Sequence, residues 1–231
     1  THPDPTLKGG DFSADPLHDE GYVSEARFRE RYGSQAELYW PKICAAADYA
    51  AHYVLTWEGE PALAVYHAMS AGSTEASDNV WETALPYLVS VKSEGDTLSP
   101  DYCSSHTWLL DEMHALLKAA FPAARLEGDP AKWLTVLARS EAGYVTLFSV
   151  GGVQVPGQQV RKALSLRSTC LLIEYANGTF SIETKGYGHG VGLSQNGADF
   201  LARQGSDAAD ILAHYYPGTT LTIVTTSDAA A

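Results

Sequence analysis

Residues 185–198, KGYGHGVGLSQNGA, place five glycines around one histidine, His189, and restrict the fold more than any other segment. Every second residue from Gly186 to Gly192 is glycine, so in a strand all the side chains would lie on one face. The bare opposite face would allow another backbone or a flat ligand to come close, and glycine also permits a positive φ. The pattern predicts a narrow ledge that displays His189, with tight packing of His189 in the core as the alternative.

The residues after the ledge predict the start of a helix, with Ser194 or Asn196 as its cap. The free N–H groups of such a helix start favour an anion or a polar oxygen. The segment is not typical of nucleotide-binding loops. It lacks their Lys-Ser/Thr ending, and it lacks the strand–GxGxxG–helix order with an acidic residue about 20 positions later.

Short β-rich runs and amphipathic helices alternate irregularly along the chain, without βαβ spacing. Helices are predicted at 25–32, with Ser24 as the cap, and at 36–50, 107–121, 194–204 and 208–214. Strands are predicted at 53–57, 63–66, 86–93, 133–138, 144–150, 170–175, 179–183 and 220–224. Asn177-Gly178 predicts a tight hairpin turn. These elements predict an α+β fold, with short strands and hairpins and several helices packed around them in a single compact domain.

Composition limits the partners of this chain. A net charge of −13 gives it the opposite field to that of a nucleic-acid binder. No apolar run reaches the roughly 18 residues of a membrane span. Residues 1–21 are rich in Pro, Gly and Asp and predict a loop or arm, which leaves 22–226 as the domain and 227–231 as a tail.

Several segments in one order resemble the stage II sporulation protein D family, which includes the amidase-enhancer proteins. The ledge and the helices after it, GYGHGVGLSQNGADFLARQG and ILAHYYPGTTL, look like the C-terminal signature of that family. AVYHAMSAGSTEASDNVWETALPYLVSVKSEGD resembles its middle block, and VRKALSLRST resembles the segment before its last strands. The resemblance extends over most of the chain from about Tyr49 onward.

This resemblance implies a peptidoglycan lytic transglycosylase that cuts glycan strands already stripped of their stem peptides, during cell-wall remodelling in engulfment. The chemistry needs one carboxyl group, which protonates the leaving oxygen and then acts as base while the sugar's own C6 hydroxyl closes onto the anomeric carbon. In the family this glutamate lies in an Ala-Ala-Glu-Met-Pro type motif. The chain has no such motif, so we expect the glutamate upstream of Thr1 in a longer protein; its loss is the other explanation.

The same resemblance implies that the substrate-binding residues are His67, Ser70, Glu75, His189, Ser194 and Gln195, which would line a glycan cleft. Packing and loop organisation are the alternative roles for the first three. Trp81 and Trp108 are either core residues or platforms for a sugar ring. A serine-hydrolase triad of Ser70, His189 and Asp96 lacks a GxSxG context.

The family's N-terminal arm often binds zinc through histidines and cysteines. Here His2 and His18 occupy matching places, but no cysteine precedes Cys44, so we expect no structural zinc and no cofactor. The expected partners are peptidoglycan glycan strands and other engulfment proteins, including an amidase, outside the cytoplasmic membrane. The protein would be secreted, or tethered through a segment upstream of Thr1. A non-catalytic glycan-binding or amidase-stimulating module is the alternative function.

Overall fold

A computed structural model describes residues 23–81 and 83–224, which form two compact units. The smaller unit contains the described residues up to Tyr53 together with Ile223 and Val224, and the larger is Val54–Thr222. The predicted arm and tail lie outside the described residues, as do His2 and His18. The domain bounds of 22–226 therefore stay a prediction.

Two helices make up most of the smaller unit, α1 at Glu25–Tyr32 and α2 at Ala36–Ala50. The hydroxyl of Ser24 accepts a hydrogen bond from the backbone N–H of Arg27 at 3.4 Å, and so caps α1. A side-chain oxygen at this position satisfies one of the donors that a helix start leaves free. Both helices and the cap confirm the prediction.

The remaining elements are short. The strands are β1 Tyr53–Trp57, β2 Glu60–Pro61, β3 Tyr66–His67, β4 Cys103–Leu109, β5 Leu134–Arg139, β6 Val145–Val150, β7 Val153–Pro156, β8 Leu171–Ala176, β9 Thr179–Lys185, β10 Leu193–Ser194 and β11 Thr220–Ile223. The further helices are α3 Asp78–Trp81, α4 Leu110–Ala120, α5 Gly157–Ala163, α6 Gln195–Arg203 and α7 Ala208–Tyr215. This mixture of helices and small sheets confirms the α+β class.

Four small sheets organise these strands. β4, β9 and β8 form one antiparallel sheet, and β5, β6 and β7 form another. β11, β1 and β2 form a third. The fourth is a parallel pair in which Leu193 and Ser194 of β10 lie opposite Tyr66 and His67 of β3. This pair fixes the residues just after the glycine ledge against β3.

Two hairpin turns have the residues that their geometry requires. Asn177 and Gly178 have φ values of 51° and 78°, the left-handed conformation needed at both central positions of a tight turn. Glu58 and Gly59, at 52° and 86°, form a second turn of this kind. Because the turn is so short, the partner of β1 is Glu60–Pro61, and the predicted strand at 63–66 was wrong.

The segment 86–93 was wrongly predicted as a strand. Its backbone bonds to hydroxyls as well as to carbonyls, as when Val91 N–H donates to Thr74 Oγ1 at 2.9 Å and Thr74 N–H donates to the Val91 carbonyl. The predicted helix 107–121 was also too long at its start, because residues up to Leu109 pair with β9 before α4 begins.

Two apolar clusters form the core of the larger unit. One surrounds Phe148 and Phe180 between the two antiparallel sheets, α4 and α5. The other surrounds Tyr215, the last residue of α7, and Tyr216, which follows it. This second cluster includes Val191 of the glycine ledge, and Val191 is fully buried. The ledge is therefore anchored in the core through Val191 and the buried glycines on either side of it, while Tyr187 near its start is exposed.

Candidate functional site

The glycine ledge is a chain of turns rather than a regular strand. Gly186, Gly188, Gly190 and Gly192 have φ values of 78°, 124°, 85° and 73°, a region that favours glycine. A Cβ at Gly188 would lie 2.6 Å from the Cβ of His67, and one at Gly192 would overlap the carbonyl oxygen of Val65. The expectation of a close approach is thus met by the chain's own backbone around β3, which occupies the bare face.

His67 and His189 hold one residue, Val191, from its two sides. His67 Nδ1 lies 3.1 Å from the carbonyl oxygen of Val191, and the N–H of Val191 donates to His189 Nδ1 at 3.1 Å. A carbonyl oxygen can only accept and a backbone N–H can only donate. His67 therefore carries its proton on Nδ1, whereas His189 carries its proton on Nε2. The two imidazoles are fixed in opposite tautomers.

Both histidines are kept neutral by their surroundings. Burial lowers the pKa of His67 from 6.5 to about 4, against the hydrogen bond to Val191, which raises it. Burial also lowers the pKa of His189, against a hydrogen bond to the backbone of Tyr66. Nε2 of His67 is buried and has no hydrogen-bond partner among the described residues. The site thus contains an imidazole nitrogen that can accept a hydrogen bond and receives none.

An aromatic row leads from this pair to the surface. The His67 and His189 ring centroids lie 5.7 Å apart, and the Trp81 ring lies 5.0 Å from that of His189. Trp81, at the end of α3, is 42% exposed, His189 is half-buried and His67 is buried. The imidazole of His189 is not sealed in the interior, because it lies between a buried ring and an exposed indole.

The carboxylate of Asp96 ties the ledge to the middle block. It is fully buried and accepts from the backbone N–H of Ser70 at 2.8 Å, from Ser194 Oγ at 2.8 Å and from Asn196 Nδ2 at 3.2 Å. Ser194 Oγ also accepts from the N–H of Gly197 and so caps α6, as the sequence predicted. Asp96 therefore fixes the start of α6 relative to the chain at Ser70.

This arrangement contradicts the hydrolase triad. Ser70 offers its backbone N–H to Asp96, and its hydroxyl accepts from the N–H of Gly72 at 3.1 Å. His189 is committed to the backbones of Val191 and Tyr66. No serine, histidine and carboxylate of this set are connected in the order that nucleophilic catalysis needs.

Glu75 contacts the ledge at Gly190. Its backbone N–H donates to the Gly190 carbonyl, and its Oε1 accepts from the N–H of Ala76 and from Asn79 Nδ2, each at 2.8 Å. Its Oε2 is buried and has no hydrogen-bond partner among the described residues. Glu75 and Asn79 line a small enclosed cavity together with Tyr144.

The six predicted binding residues differ in their access to solvent. His67, Ser70, Glu75 and Ser194 are buried, His189 is half-buried and Gln195 is exposed. The structure brings them into one region around the ledge. There the side chains of the four buried residues form hydrogen bonds with backbone groups or with other side chains of the region. Contact with a glycan stays a prediction for all six.

Tyr144 is a residue of this region that sequence reasoning missed. Its hydroxyl accepts from the N–H of Ala71 at 2.8 Å and donates to the Ser73 carbonyl at 3.1 Å, and its ring packs at Gly190. Burial raises its pKa beyond the usual range of tyrosine. Its sequence position, more than 40 residues before the ledge, gives no signal of this contact.

Across 23–81 and 83–224, no group of three or more His, Cys, Asp or Glu side chains is arranged to hold a metal ion. No helix within these ranges is both long enough and apolar enough to cross a membrane.

The chain is similar to two proteins named stage II sporulation protein D. It is 34% identical to the one from Bacillus amyloliquefaciens and 32% identical to the one from Bacillus subtilis (strain 168), over 85% and 86% of this chain. It is also 28% identical to the amidase enhancer of Bacillus subtilis (strain 168), over 73% of this chain and 31% of that protein. No model of a known protein family matches the chain.

The matched region is only part of these relatives, since the chain spans 56% of each sporulation protein D. The similarities support the sporulation protein D and amidase-enhancer family, which is the family that the sequence motifs indicated.

Proposed function

We propose, from this similarity to sporulation protein D and the amidase enhancer, that the chain is the glycan-binding part of a protein that remodels the cell wall during sporulation. The whole protein would be a lytic transglycosylase acting outside the cytoplasmic membrane. Its substrate would be peptidoglycan glycan strands from which an amidase has removed the stem peptides, and that amidase would be a partner in engulfment.

The row formed by Trp81 and His189 is the observation that supports glycan binding most strongly. An exposed indole offers a flat apolar surface on which the apolar face of a sugar ring can stack. The neighbouring imidazole is held by Val191, so it loses little entropy when a ligand binds. A stacking surface on a rigid polar support suits a polymer of N-acetylated sugars.

Catalysis would come from a residue that this chain does not supply. In the proposed reaction, a glutamate upstream of Thr1 donates its proton to the glycosidic oxygen as the bond to the anomeric carbon breaks. The same carboxylate then takes the proton of the C6 hydroxyl, whose oxygen closes onto that carbon to give an anhydro end. The residues described here would bind and orient the strand.

The amidase-enhancer relative supports a second candidate function, a module that binds glycan and stimulates an amidase without cutting glycan itself. Both candidates use the same surface, and they differ in product. Peptide-free strands incubated with the protein extended upstream of Thr1 yield anhydro-ended sugars in mass spectrometry if it is an enzyme. On strands that still carry their stem peptides, faster release of those peptides by an added amidase, without anhydro ends, identifies the second candidate.

Binding itself is tested with the 231-residue chain. Trp81→Ala is expected to weaken binding of peptide-free strands about tenfold, because a stacked aromatic contact contributes on the order of 1 kcal/mol beyond the area it buries. Leu172→Ala is the control, since Leu172 is 62% exposed on β8. Equal binding by both variants and the unaltered chain would contradict the role of Trp81 in stacking against the glycan. No binding by any of them would contradict the proposed function.

A further inference from the structure

A basic pocket opens beside the ledge, at the C-terminal end of α5. It has a volume of about 470 Å³. Its lining residues are Gln158, Arg161, Lys162, Ser165, Leu166, Arg167 and Tyr187. Three cationic side chains therefore meet in one pocket of a chain whose net charge is −13.

None of these three cations is neutralised by a carboxylate within residues 23–81 and 83–224. The ion pairs found there join Arg29 to two glutamates and Arg203 to Asp199. Arg161 donates instead to the carbonyl of Arg167 and to Gln158 Oε1, each at 3.1 Å. Arg167 donates to the backbone carbonyl of Asp101 at 3.4 Å. These acceptors are neutral, so they orient the guanidinium groups but leave their charge uncompensated.

Arg161 is held in a partly desolvated position. It is half-buried, and burial lowers its pKa. A partly desolvated charge without a counter-ion gains more from an anionic ligand than an exposed one does, because water screens it less. The hydrogen bonds to Gln158 and to the Arg167 carbonyl fix the direction of its remaining N–H groups.

Tyr187 gives the pocket an aromatic side. Its ring is 48% exposed, and the guanidinium carbon of Arg167 lies 5.3 Å from the ring centroid. This cation–π contact holds Arg167 at the edge of the pocket. A ligand here would meet an aromatic face and cationic groups together, the combination that suits an acidic sugar.

The pocket lies close to the candidate site. Tyr187 is two residues from His189, and the N–H of Gly188 between them donates to the carbonyl of Arg167 at 2.9 Å. The positive charge of Arg161 acts electrostatically on both histidines, since it helps to lower the pKa of His67 and of His189. A strand lying along Trp81 and His189 can therefore extend to the basic pocket.

We infer that Arg161, Lys162 and Arg167 bind the free lactyl carboxylate of an N-acetylmuramic acid residue whose stem peptide has been removed. This inference rests on the proposed function. In an intact strand that carboxyl group is an amide and has no charge, and peptide removal turns it into an anion. Guanidinium groups bind a carboxylate by charge-assisted hydrogen bonds. The pocket thus provides a physical reason for a preference for stripped strands.

The test compares glycan strands of equal length that differ only at this group. Peptide-free strands with free carboxylates, the same strands with carboxylates converted to methylamides, and chitin oligosaccharides are titrated by calorimetry into the 231-residue chain. Free carboxylates are expected to bind at least about tenfold more tightly than methylamides, because hydrogen bonds to charged groups are the stronger ones. The difference should shrink as salt is raised.

Variants locate the effect. Arg167→Gln and Lys162→Gln are each expected to weaken binding of the carboxylate strands and to leave binding of the methylamide strands unchanged. Lys132→Gln, at an exposed position distant in sequence, is the control. Trp81→Ala should weaken both kinds of strand alike, so the two parts of the surface are separable. If Arg167→Gln does not fold, the exposed Lys162 and the modified strands still decide the question.

Two outcomes would overturn the inference that the basic pocket binds the lactyl carboxylate, but would leave the proposed function unaffected. One is equal affinity of the unaltered chain for carboxylate and methylamide strands. The other is tighter binding of a poly(glycerol phosphate) than of the carboxylate strands, which would assign the pocket to a phosphate polymer of the wall. Absence of binding to every glycan would overturn the proposed function as well.

Discussion

Replacing Asp96 with asparagine tests whether one carboxylate holds the two parts of the candidate site together. Asp96→Asn keeps the size and shape of the side chain and converts one oxygen into an NH₂ group. The two oxygens now accept from three donors, namely Ser70 N–H on Oδ2 and the side chains of Ser194 and Asn196 on Oδ1. An amide has only one oxygen, so it cannot accept on both sides.

The magnitude follows from the two orientations of the amide. With its oxygen towards Ser194, its NH₂ group faces the N–H of Ser70 and leaves a buried donor unsatisfied. With its oxygen towards Ser70, its NH₂ group faces Asn196 and disrupts the cap of α6. Either loss costs about 1–3 kcal/mol, and each hydrogen bond that remains is weaker by about 1 kcal/mol without the charge. Some of this is offset because a buried charge no longer has to be desolvated.

We therefore expect Asp96→Asn to lower the free energy of unfolding by about 3 kcal/mol, which corresponds to a fall in Tm of about 6–12 °C for a protein of this size. Urea and thermal unfolding followed by tryptophan fluorescence measure both quantities. Asp101→Asn is the matched control, since Asp101 is exposed and its carboxylate makes no hydrogen bond among the described residues, and it should change stability by less than about 0.5 kcal/mol. A loss below about 1 kcal/mol for Asp96→Asn would refute the role given to this carboxylate.

Two further predictions concern the ledge. The pKa of His67 is 6.5 in the unfolded chain and about 4 in the folded chain. Between these pH values the unfolded state therefore binds more protons than the folded state. The free energy of unfolding falls as the pH falls through this range, by up to about 3 kcal/mol. His67→Asn can keep a donor to Val191 and should flatten this part of a stability profile measured from pH 7.5 to 4.5; an unchanged profile would contradict the lowered pKa. Gly192→Ala should destabilise the protein by at least about 2 kcal/mol more than Gly178→Ala in urea unfolding, because both have φ near 75° but only at Gly192 would a Cβ overlap backbone. Equal losses would mean that the close approach of Val65 is unimportant.

The sequence predicted elements well where local rules decide them. Asn177-Gly178 could only form one kind of tight turn, and Ser24 is a preferred cap before an amphipathic run. It failed at 86–93, where the β-rich run PYLVSVKS suggested a strand. The hydroxyl of Thr74, more than ten residues earlier, accepts from the N–H of Val91 and donates to the carbonyl of Val89 instead. Periodicity carries no information about such bonds.

The candidate site was predictable only in part for the same reason. The alternation of glycine indicated a close approach, but not that β3 would make it. Asp96 was considered only as a member of a triad, because its partners Ser70 and Ser194 are 26 and 98 residues away along the chain. The charges of Arg161 and Arg167 are visible in the sequence, but only the fold shows that no carboxylate among the described residues neutralises them.

The buried residues of the site support its backbone, and the exposed residues are available to contact a ligand. This difference in role explains why four of the six residues that the family resemblance indicated are inaccessible to solvent. Val191 is held by two imidazoles, and the start of α6 is held by Asp96, so the backbone between them has little freedom. Of the side chains that a polymer can reach, Trp81 packs against the ring of His189, and Tyr187 belongs to the ledge itself. Loss of a buried residue should therefore reduce stability and affinity together. Loss of an exposed residue should reduce affinity alone, because the surface it leaves is still held in place from below.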